Sequence, residues 1–268
     1  MSRVSPAQLA HLERRLTEHD RLVIDTLDRV RLASTEHLHR LIVLTEPTTL
    51  RRTQAKLRKL CDLHVITRLE RTVGGVRAGS SGHVYALDTF GQRLTVSGCG
   101  PAGGRRRRRP WTPGLSFIAH HLAVTSLYVK TREAERAGRL TVLDFDCEPL
   151  CWRAFTGVAG ARATLKPDAF VRLGVGSFQD AYFIELDQAS QSLPAIQRKL
   201  VVFRRFYATG REQGRYGAFP QVLFLVPSEE RRAALAELIA RHPDAEVRRF
   251  AAVALQDDAP GLFCEEGS

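Results

Sequence analysis

Three acidic side chains in the middle of the chain have the spacing of a site that could hold a divalent metal ion. Asp168 opens one predicted strand, Ala169 to Leu173, and Glu185 and Asp187 lie near the end of the next, Ala181 to Leu186. Residues two apart on a strand point to the same face, so Glu185 and Asp187 would lie together. Carboxylate oxygens at the ends of paired strands suit Mg²⁺ or Mn²⁺. We therefore predict a metal site formed by Asp168, Glu185 and Asp187.

An amphipathic helix is predicted after the second strand, because apolar residues recur there at spacings of four, three and four. These residues are Ile196, Leu200, Phe203 and Tyr207. Lys199 immediately precedes Leu200 and could lean back over the carboxylates. The predicted catalytic residues are therefore Asp168, Glu185, Asp187 and Lys199, and Lys166 is the alternative source of a basic group.

Each of these residues also has a structural interpretation. Single Asp and Glu residues at strand ends are commonly solvated or paired with an arginine, and a proline–aspartate pair such as Pro167-Asp168 is frequent at turns. The prediction of an acidic site therefore depends on the order and spacing of all the residues together. Catalytic activity at such a site is a separate step.

The basic charge of the chain is confined to its first part. The net charge is +11 at pH 7; residues 1–110 hold 21 Lys and Arg against 10 Asp and Glu, whereas residues 111–268 hold 19 of each. A basic region joined to a neutral one is typical of a nucleic-acid-binding module attached to another domain.

Other features of the composition favour a cytoplasmic protein without membrane contact. No apolar run approaches the roughly 20 residues that a membrane helix needs, and the N-terminus lacks the apolar centre of a secretory signal. The 5 cysteines are scattered, which favours reduced thiols over disulfides or a zinc site. Nothing in the sequence indicates the oligomeric state.

The first hundred residues carry the pattern of a winged helix-turn-helix. Three helices are predicted between Ser5 and Ile42, followed by a basic helix from about Thr48 to Cys61. His64 is then expected in a left-handed conformation. Two strands, Val65 to Glu70 and His83 to Leu87, enclose a Gly- and Ser-rich tip. In such a domain the basic helix would enter the major groove and the hairpin would contact phosphates.

Basic residues of this region are predicted to contact double-stranded DNA. One group lies on a face of the basic helix, two arginines lie in the hairpin, and five consecutive arginines follow in a Gly- and Pro-rich segment. The predicted DNA-binding residues are Arg51, Arg52, Lys56, Arg58, Lys59, Arg71, Arg77, Arg105, Arg106, Arg107, Arg108 and Arg109. The alternative is that the helix face is only solvated and that the arginine run is a spacer.

The remainder of the chain predicts an α/β (α+β) domain with a mixed sheet. A helix from Leu115 to about Ala137 comes first, and strands and helices alternate after it. The wholly apolar run Val222 to Val226 indicates a central strand, and a last strand is expected over Glu246 to Val253. The predicted organisation is a winged-helix domain at 1–98, a basic linker at 99–114, an α/β domain at 115–260 and a tail at 261–268.

Taken in order, these motifs resemble the replication-relaxation family of plasmid and mobile-element proteins, which overlaps the MobC-type mobilisation relaxases. The residues that carry the resemblance are Arg51-Arg52, Leu57 to Leu60, His121 to Val124, Lys166 to Ala169, Phe183 to Asp187 and Lys199-Leu200. The resemblance implies a restriction-endonuclease-like fold for the second domain and an accessory or nicking role beside plasmid replication or conjugation proteins. Where a standard nuclease of that fold has Glu-x-Lys, this chain has Glu185-Leu186-Asp187.

Three functions are compatible with these observations. The first is a DNA-nicking enzyme whose carboxylates hold Mg²⁺ or Mn²⁺. The second is a non-catalytic DNA-binding accessory whose degenerate nuclease domain is a scaffold for partners. The third is a transcriptional regulator, which would explain the basic helix but not the acidic cluster. The sequence leaves open whether the chain is an enzyme and which DNA sequence it binds.

Overall fold

The computed structural model describes residues 5–69, 82–98, 114–157, 160–189 and 191–263. The chain divides into two compact units, Met1–Val129 and Lys130–Ser268. The division falls inside the helix Leu115–Arg136, which the sequence pattern assigns wholly to the second domain. The domain limits drawn from the sequence remain a prediction.

In its described residues, the first unit consists of helices and one small sheet. Its elements are α1 (Pro6–Arg15), α2 (Glu18–Val30), β1 (Ala33–Ser34), α3 (Thr35–Thr45), α4 (Leu50–Asp62), β2 (Ile66–Arg68), β3 (Val84–Leu87), α5 (Thr89–Gly98) and the first part of α6 (Leu115–Arg136). The sheet has the order β1–β3–β2, and both pairings are antiparallel.

Local sequence accounts for where the helices of the first unit begin. Ser5, Thr17 and Ser34 precede α1, α2 and α3, and each side chain accepts a hydrogen bond from the amide three residues further on. Such caps satisfy amide donors that have no partner within the helix. After α4 the chain turns through His64, whose φ of +54° confirms the predicted left-handed conformation.

Two elements of the first unit were not predicted from the sequence. Strand β1 has only two residues and pairs with β3 through Ala33 and Tyr85, so it is defined by its partner and not by a periodic pattern. Helix α5 follows β3 directly, and Gly91 on it lies against the backbone of Val65, where a Cβ would come within 2.2 Å of the Val65 carbonyl oxygen. A glycine in a helix therefore marks close packing here.

The second unit is an α/β structure. After the end of α6 its elements are β4 (Thr141–Cys147), β5 (Arg153–Thr156), β6 (Arg162–Leu165), β7 (Ala169–Val175), β8 (Phe178–Leu186), α7 (Leu193–Tyr207), α8 (Arg211–Tyr216), β9 (Gln221–Val226), α9 (Glu229–Ala240), α10 (Ala245–Phe250), β10 (Ala251–Leu255) and α11 (Ala259–Leu262). Strands β5 and β6 form a separate antiparallel pair.

A five-stranded sheet forms the centre of the second unit, in the order β10–β9–β8–β7–β4. Strands β10, β9 and β8 pair in parallel, whereas β8, β7 and β4 pair antiparallel. The sheet is therefore mixed, which confirms the predicted fold class. The apolar strand β9 lies between two others, as its composition indicated.

One face of this sheet is covered by α7 and α9. The rings of Phe170 and Phe183 on neighbouring strands lie 5.3 Å apart, and Phe183 lies 5.8 Å from Phe203 of α7. The same buried cluster includes side chains of β9 and α9. Burying each side chain of this kind contributes about 1.5–3 kcal/mol. Glu185 lies two residues beyond Phe183 on β8, so strand alternation turns it toward this helix-covered face.

The prediction of a last strand over Glu246 to Val253 is wrong for its first half. Residues 245–250 form helix α10, and the strand begins only at Ala251. Asp244 caps this helix by accepting a hydrogen bond from the amide of Glu246. Because Val247 and Phe250 are three apart and both buried, one helical turn buries them on the same side.

Across the ranges that the structure describes, no helix is both long and apolar enough to span a bilayer.

Candidate active site

Asp168 immediately precedes β7, and Glu185 is the last residue but one of β8. The antiparallel ladder ends with the pair of Ala169 and Ile184, so Asp168 and Glu185 each lie one residue beyond that last pair. The amide of Asp168 donates to the Ile184 carbonyl at 3.0 Å, and its Oδ2 accepts from the Leu186 amide at 2.7 Å. Both carboxylates therefore lie at the same end of the β7–β8 pair.

Helix α7 brings a cation to the Glu185 carboxylate. The Nζ of Lys199 donates a hydrogen bond to Glu185 Oε2. Glu185 is only 2% exposed, whereas the Lys199 side chain is 32% exposed. The apolar stripe of α7, which includes Ile196 and Leu200, is buried in the core cluster. Packing of this stripe turns the neighbouring Lys199 toward the end of β8.

Lys199 is held in its charged form. Burial by itself lowers the pKa of Lys199, but the charges of Glu185 and Asp168 and the hydrogen bond to Glu185 outweigh it, and the pKa is raised above its ordinary 10.5. The charge of Asp187 acts in the same direction. An ammonium group that stays protonated at neutral pH cannot act as a general base, so Lys199 can contribute there through its charge and its N–H donors.

Asp187 has a different partner, which no pattern in the sequence indicates. The Nε and an Nη of Arg231 on α9 both lie 2.6 Å from Asp187 Oδ2. The same guanidinium donates to the Gln191 carbonyl at 2.5 Å. Arg231 therefore ties the end of β8 and the connection to α7 to the first turns of α9. No local pattern marks it, although pairing with an arginine is the general structural interpretation of a strand-end carboxylate.

The carboxylates differ in what they could offer a metal ion. Oδ2 of Asp187 accepts hydrogen bonds from Arg231. Oδ1 of Asp187 is buried and receives no hydrogen bond from any described residue. Among the residues that the structure describes, no group of three His, Cys, Asp or Glu side chains is arranged to hold a metal ion. Asp168 and Glu185 remain as a pair of adjacent oxygen donors, and Mg²⁺ is often held by one or two carboxylates together with water and phosphate.

Lys166, the alternative basic residue, does not join this group of side chains. Its ammonium lies 4.7 Å from the centroid of the Trp152 ring, on the exposed surface. Lys199 is therefore the better candidate for the basic role. The roles of Asp168, Glu185, Asp187 and Lys199 in catalysis remain predictions.

The predicted DNA-binding residues of α4 lie on one side of that helix. Its opposite face buries Thr53, Leu57 and Leu60. Arg51, Arg52, Arg58 and Lys59 are exposed. Lys56 is half-buried, and its Nζ lies 2.7 Å from Nδ1 of His19 on α2, so it already contacts the rest of the unit. The remaining predicted residues, Arg71, Arg77 and Arg105 to Arg109, lie outside the described residues.

Comparison with known families matches the chain to the replication-relaxation family over residues 24–222. The chain belongs to the replication-relaxation family. The matched range covers basic helix α4 and the four side chains Asp168, Glu185, Asp187 and Lys199, whereas Arg231 lies beyond it. A comparison with curated proteins gave no match, and a comparison with solved structures gave none either. Membership suggests a role in the replication of a plasmid or mobile element.

Proposed function

We propose that this replication-relaxation family protein binds duplex DNA through a winged-helix domain and nicks it at a site formed by Asp168, Glu185 and Lys199. The observation that carries the proposal is the contact between Lys199 and Glu185 beside Asp168. A restriction-endonuclease-like site needs two carboxylates and a basic group together. Here the basic group comes from α7 and not from β8, which compensates for Asp187 in the position of the usual lysine.

Asp168 and Glu185 are the side chains that would hold Mg²⁺ or Mn²⁺ in this proposal. A bound divalent ion would activate water and neutralise charge on the reacting phosphate. Lys199 adds a fixed positive charge next to both carboxylates, which suits a site that must accept an anionic backbone. Asp187 takes no part, because Arg231 already neutralises it and ties it to α9.

DNA binding is assigned to the exposed side of α4. The helices of the first unit, its small sheet and the position of α4 before the β2–β3 pair are consistent with a winged helix-turn-helix. Four of the five basic residues predicted on α4 are exposed, which leaves them available for phosphates. Electrostatic contacts of this type supply most of the sequence-independent affinity for DNA.

The purified protein is expected to convert supercoiled plasmid to open circle in millimolar Mg²⁺ or Mn²⁺. Asp168→Asn should reduce the rate by about 100-fold or more, the usual effect of removing one electrostatic group from such a site. Asp144→Asn is the matched control, because Asp144 lies on β4 of the same sheet and pairs with Arg172 away from the site. The measurement is the rate of open-circle formation on agarose gels.

Two outcomes would contradict the nicking proposal. One is an absence of nicking by the wild-type protein on plasmids that carry its own element's origin. The other is equal nicking by wild type and Asp168→Asn, which would indicate a contaminating nuclease. The protein would then be a non-catalytic DNA-binding accessory, for which the burial and neutralisation of Glu185 and Asp187 would be sufficient explanation.

The double variant Arg51→Glu, Arg52→Glu is expected to weaken duplex binding by roughly 100-fold in a gel shift. Removing one arginine–phosphate interaction should lower the slope of log K against log salt by about 0.9. Arg14→Glu, Arg15→Glu is the matched control, because these exposed residues of α1 carry the same charge change within the same unit. Equal weakening by both double variants would mean that net charge, and not α4, determines binding.

A further inference from the structure

An exposed tryptophan lies close to the candidate active site and has no role in the function proposed above. Trp152 is one of only two tryptophans in the chain, and it is 36% exposed. The ammonium of Lys166 lies 4.7 Å from its ring centroid. A large aromatic ring and a cation therefore lie together on the surface of the second unit.

The backbone around Trp152 is held in place by hydrogen bonds from the Arg153 side chain. Arg153 donates from one Nη to the carbonyl of Cys151 at 2.9 Å and to that of Leu150 at 3.3 Å. Its Nε bonds the buried Glu212 at 3.2 Å, and its guanidinium lies 4.9 Å from the ring centroid of Phe170. A residue whose backbone is held in this way presents its side chain with little loss of entropy on binding.

The same segment is attached directly to the strand that begins with Asp168. The thiol of Cys151 donates to the Pro167 carbonyl at 3.0 Å. Strands β5 and β6 pair Arg153 with Leu165, so one further step of that register places Trp152 opposite Lys166. Lys166 precedes Asp168 by two residues. The ring and its cation therefore lie at the edge of the candidate active site.

We infer that Trp152 and Lys166 form a platform for one nucleotide of single-stranded DNA, on which the ring stacks a base and the ammonium contacts a phosphate of the same strand. This inference rests on the proposed nicking function and names how the substrate strand is held. Aromatic stacking accepts every base, which suits a site that must hold any strand near the reacting phosphate. A base within an intact duplex is already stacked on both faces, so the platform favours a locally opened strand.

The test uses the intrinsic fluorescence of Trp152 in the full-length Trp111→Phe protein, which leaves Trp152 as the sole tryptophan. Titration with a 12-nucleotide oligothymidylate in the absence of divalent metal is expected to quench most of the emission in a saturable way. A duplex of the same length should quench it at least fivefold less at equal occupancy. Occupancy is measured independently by the anisotropy of a fluorescein label on the DNA.

Single substitutions then distinguish the contribution of the Trp152 ring to DNA affinity from that of the Lys166 ammonium. Trp152→Ala should weaken oligothymidylate binding about 10-fold, whereas Trp152→Phe should restore most of the affinity. Lys166→Ala should weaken it several-fold and lower the salt slope by about 0.7, the value for one phosphate of a single strand. Phe178→Ala is the matched control, because Phe178 is an exposed aromatic residue on β8, outside the β5–β6 pair, and its loss should leave the affinity unchanged.

The platform and the nicking proposal can fail separately. Quenching that persists in Asp168→Asn supports the platform whether or not the wild type nicks DNA. Binding by anisotropy without quenching, or an affinity that Trp152→Ala leaves unchanged, would overturn the platform even if nicking is observed. Equal quenching by the duplex would overturn the assignment to single-stranded DNA.

Discussion

Replacing Arg231 with alanine is expected to lower the free energy of unfolding by about 3–5 kcal/mol, the usual cost of removing one partner of a buried ion pair. Asp187 is only 1% exposed, and the Arg231 side chain is 15% exposed. Within the described residues, Oδ1 of Asp187 already lacks a hydrogen-bond donor. Without Arg231 its Oδ2 would lose its donor too, and a buried negative charge would remain uncompensated.

Urea denaturation of the full-length protein measures this effect. Arg232→Ala is the matched control on the next residue of α9, because Arg232 pairs with the exposed Glu229 and such surface pairs contribute little to stability. The double variant Arg231→Met, Asp187→Leu should recover most of the missing stability, since it removes both charges together. If Arg231→Ala lowers the free energy of unfolding by less than about 1 kcal/mol, the assignment of Asp187 to a structural ion pair is wrong.

The Arg231→Ala variant also tests the three-carboxylate metal site predicted from the sequence. If Asp187 is a third ligand, its release from Arg231 should let Mn²⁺ stabilise the variant more than the wild type. In the site proposed above only Asp168 and Glu185 hold the ion, so we expect Mn²⁺ to stabilise the variant and the wild type equally. Greater stabilisation of the variant would support Asp187 as a third ligand.

Lys199→Ala is expected to lower the free energy of unfolding by roughly 3 kcal/mol, because it leaves the buried Glu185 without its cation. The pKa of Lys199 is raised above 10.5 in the folded protein. The stability that this shift contributes is therefore fully present below pH 10.5 and is lost as the pH rises through the raised value. The difference in the free energy of unfolding between wild type and variant should stay constant from about pH 6 to 9. It should become smaller above pH 10.5.

The same variant also tests the metal site. Mn²⁺ should stabilise Lys199→Ala more than the wild type, because a divalent ion would replace the missing charge beside Glu185 and Asp168. Arg198→Ala, an exposed change on the previous residue of α7, controls for effects on the helix and should alter stability by less than about 0.5 kcal/mol. An unchanged response to Mn²⁺ in Lys199→Ala would contradict the expectation that the ion replaces the missing charge beside Glu185.

Features that depend on neighbours along the chain were predictable from the sequence. Strand alternation predicted that Glu185 and Asp187 share one face of their strand, and the apolar stripe of the following helix predicted that Lys199 could reach them. The apolar composition of β9 indicated a central strand in a mixed sheet. The charge excess of the first 110 residues is a property of the sequence alone. These signals are local, so they can be interpreted without knowing how the helices and strands pack.

Tertiary structure alone decided which partner each carboxylate has. Glu185 and Asp187 share a face and are two residues apart, yet one meets Lys199 on α7 and the other meets Arg231 on α9. The choice depends on how the two helices lie on the sheet, and Arg231 is 44 residues from Asp187 along the chain. No short-range pattern encodes a contact over that distance, so the sequence predicts three equivalent carboxylates. The fold distinguishes them, because it leaves Asp168 and Glu185 as the candidate reactive pair and gives Asp187 a structural ion pair with Arg231.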